Sequence, residues 1–429
     1  MPNAERERKR APISRRSFLG AAGTFAAGAA LTGSGGKLLD DRQADATSSA
    51  ASATIPFYGV HQGGIVTAPQ RHSSFAAFDV TTERRSEVID LLRTWTSVAA
   101  NLCAGYPAGP LSDVTGRVEP DSGETLGLGP ARLTVNFGFG PSLFGIGAPD
   151  RFDLREKWPM ALVEVPSFPG DQLDAARSRG DLTVHACAED PQVALHTIRQ
   201  LVRAARGVAG LRWSQAGFNE SAASDGKPRD LLGFKEGMIN PSTEKELDDF
   251  VWVGAGQDQP WMQGGTYVVV RRIRILLDQW DEQSLGAQER VIGRSKSSGA
   301  PLGTRSPNAS LDLDTRTDSG QPAIAADAHV RLASAHENWG QMLLRRSYAF
   351  DDGAVAEASV SASADSSLDA GLFFVAYQQN PRLGFIPIYA RLAAHDALRH
   401  FTIHTGSAVA AIPPGIFGAG HFVGEGLFE

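Results

Sequence analysis

Apolar side chains recur every three or four positions between residues 81 and 103, at Val88, Leu91, Leu92, Trp95, Val98, Ala99 and Leu102. That spacing predicts an amphipathic helix. The stretch "ARLTVNFGFG" (131–140) alternates apolar and polar positions and predicts a strand, as do "ALVEVPSF" (161–168) and "DLTVHACA" (181–188). "YGVHQGGIV" (58–66) is expected to be a strand broken by glycine. A second helix is expected at 189–207, with Pro191 near its start and Gly207 at its end. "GLRWSQAGF" (210–218) closes this half as a strand.

The same grammar returns downstream. Residues 264–276 read as a strand, 277–293 as a helix, 371–381 as a strand and 390–401 as a helix, and the segment from 401 begins as a strand. Each half thus reads roughly strand–helix–strand–strand–helix–strand. This is the ferredoxin-like order, with an antiparallel sheet and helices on one face. The expected fold class is α+β, two duplicated ferredoxin-like domains forming a dimeric α+β barrel. The expected boundaries are 54–218 and 219–429. Residues 296–340 break the pattern with a long aperiodic segment, and such loops inside compact domains usually serve function or are disordered.

Composition narrows the class. With 42% hydrophobic and 21% charged residues, the chain reads as a soluble globular protein. A formal charge of -7 provides no net positive field for collecting phosphates, so nucleic acid is not an expected partner. Two cysteines, Cys103 and Cys187, are too few for a disulfide scaffold, and either one disulfide or two buried thiols fits. The N-terminus has a basic start followed by a short, glycine-rich apolar run from about residue 18 to 32, too short to span a membrane. Ser14, Arg15, Arg16, Phe18 and Leu19 match the twin-arginine pattern S-R-R-x-F-L. Residues 1–53 are therefore expected to be a twin-arginine signal peptide and linker. The export machinery becomes a partner, the location periplasmic or extracellular, and stable membrane insertion is not expected. Export in the folded state favours a protein that carries a cofactor.

Common catalytic signatures are absent from the sequence. It holds no H-E-x-x-H, C-x-x-C, G-x-S-x-G or Walker loop. Three places remain: Glu236 in "GFKEGMINP", His329 in "DAHVRLA" and Arg345 in "MLLRRSYAF". "GFKEGMINP" resembles the G-x-x-D-G signature of dye-decolourising (DyP-type) haem peroxidases. "AHVRLA" resembles the segment that carries their haem-ligating histidine, and "LLRRSY" the segment that supplies their distal arginine. The stretch 168–201 and the ending "GHFVGEGLFE" are similar to the exported, deferrochelatase/peroxidase-like branch of that family.

The resemblance implies one haem b per chain, with His329 as the axial iron ligand. It implies Glu236 as distal acid–base group and Arg345, rather than Arg346, as the stabilising cation. Arg331 resembles the arginine that pairs a haem propionate. Lys235 and Gly237 are expected to line the cofactor. Asp396 is a candidate acceptor for the other ring nitrogen of His329. Asn240 reads as a turn or cap residue at the Asn-Pro step. The implied reaction uses hydrogen peroxide to oxidise dyes or phenolic compounds by one-electron steps, with a small aromatic reductant as partner. Trp252, Trp261, Trp280, Trp339 and Tyr348 would then either pack or relay electrons. Removal of iron from haem is the alternative reaction, a non-enzymatic haem carrier or sensor the second alternative, and a homo-oligomer an expected state. The departure from the family is Glu236, where aspartate is usual. Glutamate keeps the carboxylate and adds one methylene, with an acid pH optimum expected.

Overall fold

The computed structural model describes residues 52–111, 116, 118–219, 227–354 and 368–429. The export-signal expectation covers residues 1–53, of which 1–51, including the twin-arginine match, lie outside the described residues. Two βαββαβ units follow one another. The first comprises β1 (His72–Val80), α1 (Arg85–Cys103), β2 (Thr134–Phe139), β3 (Leu182–Ala188), α2 (Pro191–Ala204) and β4 (Ala209–Phe218). The second comprises β5 (Thr266–Ile275), α3 (Leu277–Asp281), α4 (Leu285–Ile292), α5 (His329–Leu332), β6 (Leu344–Arg345), β7 (Tyr348–Ala354), β8 (Leu368–Gln378), α6 (Phe385–His395) and β9 (Thr402–Ile412).

In the first unit the strands lie in the order β2-β3-β1-β4, and in the second β9-β5-β8-β7, the ferredoxin-like order in both. Two seams join the sheets, Phe139 against Ala411 between β2 and β9, and Phe218 against Ala349 between β4 and β7. All pairings are antiparallel, and together they close an eight-stranded barrel with β6 added along β8. Closure removes sheet edges that would otherwise present unpaired backbone groups.

Alternation divides each strand between two cores. Phe75 and Ala77 of β1 point into the barrel with Val268, Val270, Phe373, Val375 and Tyr377. Ala76, Phe78 and Val80 point outward beneath Val88, Leu91 and Trp95 of α1 and Val193 and Ile198 of α2. At about 25 cal/mol per Å² of apolar surface, side chains of this size each contribute about 1.5–3 kcal/mol on burial.

Two expected strands are not formed. Residues 58–66 run irregularly along the β2–β9 seam. There the Gln62 amide donates to Phe137 O and Pro413 O and accepts from Phe137 N, in place of a backbone ladder. The 161–168 segment is also irregular, and its first amide, Ala161 N, donates to the Asp258 carboxylate. The helix expected over 277–293 is two helices, because Ser284 accepts from Ala287 N and starts α4 afresh. The helix expected at 390–401 begins earlier, at Phe385, and ends at Asp396, which caps a 3-10 turn over 397–401. Cys103 and Cys187 are free, buried thiols. No helix among the described residues is long and apolar enough to cross a membrane.

Candidate active site

The loop carrying "GFKEG" is built on Asp230. Its carboxylate accepts from Phe234 N at 2.9 Å, and its own N–H donates to Phe234 O at 3.0 Å. This closes a tight turn through Gly233, whose φ of +85° suits glycine. Glu236 N then donates to Pro228 O at 2.9 Å. Gly237 follows at φ +62°, and its carbonyl accepts from Lys227 Nζ. A Cβ at Gly237 would meet nothing within 4 Å, so backbone conformation alone calls for glycine there. Lys235 lies against Gly299, on the loop after α4.

Asn240 ties this loop to β6. Its side-chain amide donates to Arg345 O at 2.8 Å, and its Oδ1 accepts from Arg345 N at 3.2 Å and Nε at 3.4 Å. Arg345 Nη2 donates to Ile239 O at 2.6 Å. Asn240 is therefore a clamp on Arg345 rather than a simple turn residue. Consecutive strand residues point to opposite faces, so Arg346 enters the barrel interior and is buried, instead of pairing on the surface.

The electrostatics couple the parts. Burial raises the Glu236 carboxyl, the neighbouring Asp230 charge raises it further and the Arg345 guanidinium partly offsets both, leaving it at about 8. Asp230 is pushed up to about 6 by burial, against its backbone hydrogen bonds and the charge of His329. Arg294, buried at the end of α4, is lowered to about 10 by burial and by Arg345. Glu236, Asp230, Arg345, Arg294 and His329 thus lie within electrostatic reach of one another in a chain of neighbouring charges.

His329 opens α5, and its Nδ1 lies 2.6 Å from Oδ2 of the buried Asp396. A carboxylate there keeps the proton on Nδ1 and leaves the Nε2 lone pair available to a metal. Arg331 uses Nη1 on the carbonyls of Leu313 and Ile324, and its Nε lies 3.4 Å from Glu337. Arg391 approaches the same Glu337 at 3.8 Å, and its Nε has no hydrogen-bond partner among the described residues. Two guanidinium groups share one carboxylate, a surplus that suits the propionates of a haem. The donor set therefore fits the group: one oriented imidazole, a buried carboxyl with a guanidinium in reach, and spare cations.

Asp396 was legible only as a guess from sequence, while Asp230, Arg294 and Glu337 carried no signal. Trp252, Trp261 and Trp280 are core residues, whereas Trp339 is 79% exposed, with Arg391 stacked 5.5 Å from its ring centre. His404 is buried, accepts from Arg271 and is held neutral by burial and that charge, as befits a core histidine.

A closed barrel of two ferredoxin-like halves, with a carboxylate-backed imidazole and a carboxyl and guanidinium acting on each other's charge, is an arrangement suited to holding a haem. Residues 62–219 match the model for the N-terminal part of Dyp-type peroxidases, and residues 227–417 the model for the C-terminal part. The chain belongs to the Dyp-type peroxidase family and is a peroxidase. It is 35% identical over 455 residues to the dye-decolorizing peroxidase of Thermobifida fusca, covering 99% of each chain. It is 34% identical over 385 residues to the deferrochelatase of Escherichia coli O157:H7, covering 87% of each. Among solved structures it resembles the oxyferrous complex of DtpA from Streptomyces lividans, with a TM-score of 0.80 and 38% identity over 89% of this chain and 99% of that one. A DyP-type peroxidase from Cellulomonas bogoriensis gives a TM-score of 0.78 and 37% identity, over 89% and 99%.

Proposed function

We propose that the chain is a haem peroxidase that reduces hydrogen peroxide and oxidises a small aromatic reductant in one-electron steps. The observation that carries this reading is the His329–Asp396 pair at 2.6 Å, with Glu236 and Arg345 acting on each other's charge and Asp230 within reach of both Glu236 and His329. Haem, when bound, would supply the redox-active iron that reacts with peroxide. His329 would hold it through Nε2, and Arg331 would pair a propionate, with Lys235 and Gly237 lining the cofactor. Asp396 fixes the tautomer of His329 and raises its basicity. Glu236 takes the proton from the inner peroxide oxygen and returns it to the outer one as the O–O bond breaks. Arg345, held by Asn240, stabilises the negative charge that grows on the leaving oxygen.

Rapid mixing of the haem-loaded protein with peroxide tests this. Glu236→Gln is expected to slow the peroxide-dependent spectral change by about 10²–10⁴-fold. If glutamine reacts as fast as glutamate, the carboxyl is a bystander. Relatives named deferrochelatase keep a second reading in view. Free protoporphyrin after incubation with haem would assign that reaction, and bound haem without peroxide turnover would assign a carrier.

The twin-arginine match at Arg15 and Arg16 supports export to the periplasm or beyond. Replacing both with lysine should retain the precursor in the cytoplasm. Unchanged export of that variant would remove the proposal.

A further inference from the structure

Arg346 leads into a second polar cluster, inside the barrel and outside the proposed haem chamber. Its centre is Cys187 on β3, only 1% exposed. Register places Ser73 of β1 and Thr134 of β2 directly beside Cys187 on the two neighbouring strands. His185 Nε2 lies 3.4 Å from the Cys187 sulfur. On its other side the His185 ring meets Tyr377 Oη at 3.3 Å. Arg346 is anchored by hydrogen bonds to Thr67 O and Gln70. Tyr348 packs over Gly217 beside Ser73, where even a Cβ would collide with both.

Three donors in this cluster have no hydrogen bond of ordinary geometry among the described residues: Ser73 Oγ, Arg346 Nε and Tyr348 Oη. The Arg346 and Tyr348 side chains both face the Cys187 sulfur. A buried donor left unpaired costs about 1–3 kcal/mol. Arg346 Nε and Tyr348 Oη have only the sulfur itself to bond to and Ser73 Oγ has nothing, and an oxygen bonded to that sulfur would supply all three with an acceptor.

We propose that Cys187 is a second peroxide-reactive centre, oxidised by hydrogen peroxide to a sulfenic acid without the participation of haem. The thiolate sulfur attacks one peroxide oxygen, an S–O bond forms and the O–O bond breaks. The departing hydroxide takes the proton given up by the thiol, relayed through His185, and leaves as water. The product oxygen accepts from the three waiting donors. Two molecules of a low-molecular-weight thiol reverse the change, the first forming a mixed disulfide with release of water and the second freeing the Cys187 thiol and the disulfide of the reductant.

The thiolate is favoured where it stands. Burial alone raises the Cys187 thiol, but the charge and hydrogen bond of His185, with Arg346 and Tyr348, outweigh it and bring the thiol to about 6. Cys103 is the internal control. It is equally buried, lacks such partners and is pushed up to about 12.

The test uses the intact holoprotein and needs no variant for its main result. The protein is treated with peroxide, the excess is destroyed with catalase, and the chain is unfolded in dimedone, which labels sulfenic acids. Peptide mass spectrometry is expected to find the label on Cys187 and not on Cys103, and to find it abolished by prior dithiothreitol. The label should persist in His329→Ala, which lacks the proposed iron ligand. His185→Gln should slow its appearance by about tenfold or more. An absent label, equal labelling of both cysteines, or labelling lost in His329→Ala would each overturn the proposal.

Discussion

Glu236 carries one methylene more than the aspartate usual in its family, and its surroundings hold it mostly protonated at neutral pH. A base must be unprotonated to accept a proton. The peroxide reaction should therefore quicken as pH rises through the range in which the carboxyl ionises, a range that burial and the Asp230 charge move upward. Stopped-flow rates across pH check this, and a flat profile in Glu236→Gln would locate the titration. Stability has the opposite slope. The folded carboxyl titrates near 8 and the unfolded one near 4.5, so between those values the native state binds more protons. The haem-free protein should lose stability as pH climbs through that window, and Glu236→Gln should reduce the loss, measured by urea melts. On the proximal side, Asp396→Asn removes the charged acceptor of His329 while keeping its shape. Haem affinity should fall by about 10–100-fold in spectral titration.

The site depends on short connections between elements. Asn240 holds Arg345 through three contacts, so Asn240→Ala should free the guanidinium. It should lower the rate of the peroxide reaction and cost about 1–2 kcal/mol of stability. Gly237→Ala fills open space but must adopt a left-handed backbone, costing about 1–2 kcal/mol in a denaturant melt. Elements buried on one face were readable from period alone, as α1 was from Val88 to Leu102. β1 was not, because "HSSFAAFDV" is buried on both faces and its side chains do not alternate in polarity. β7 ends in "DDGA", whose exposed polar residues hide the strand. Residues 58–66 read as a strand because Val60, Ile65 and Val66 are apolar, yet their place at the seam is served by one side chain, Gln62.

At the scale of the molecule, neither half encloses the barrel interior alone. The barrel interior takes Phe75 and Trp213 from the first unit and Val270, Phe373 and Tyr377 from the second. Halves expressed separately, divided between Asn219 and Lys227, should not unfold cooperatively. Expressed together, they should associate and recover a single transition by circular dichroism. Independent cooperative melting of either half would show that the seams are dispensable.

The sequence by itself determined the types and order of most elements, the ferredoxin-like repeat and the three motif segments around Glu236, His329 and Arg345. These are local properties, set by periodicity, capping and turn chemistry within a few residues. Only the tertiary structure decided that the sheets close, that Asp396 reaches His329 across 67 residues, and that Asp230 and Arg345 set the proton affinity of Glu236. It alone sent Arg345 to one chamber and Arg346 to Cys187 in another. Alternation guarantees that adjacent strand residues part company, but what each face meets depends on closure of the barrel. Charge–charge coupling follows distance and burial in space, and neither is written in spacing along the chain.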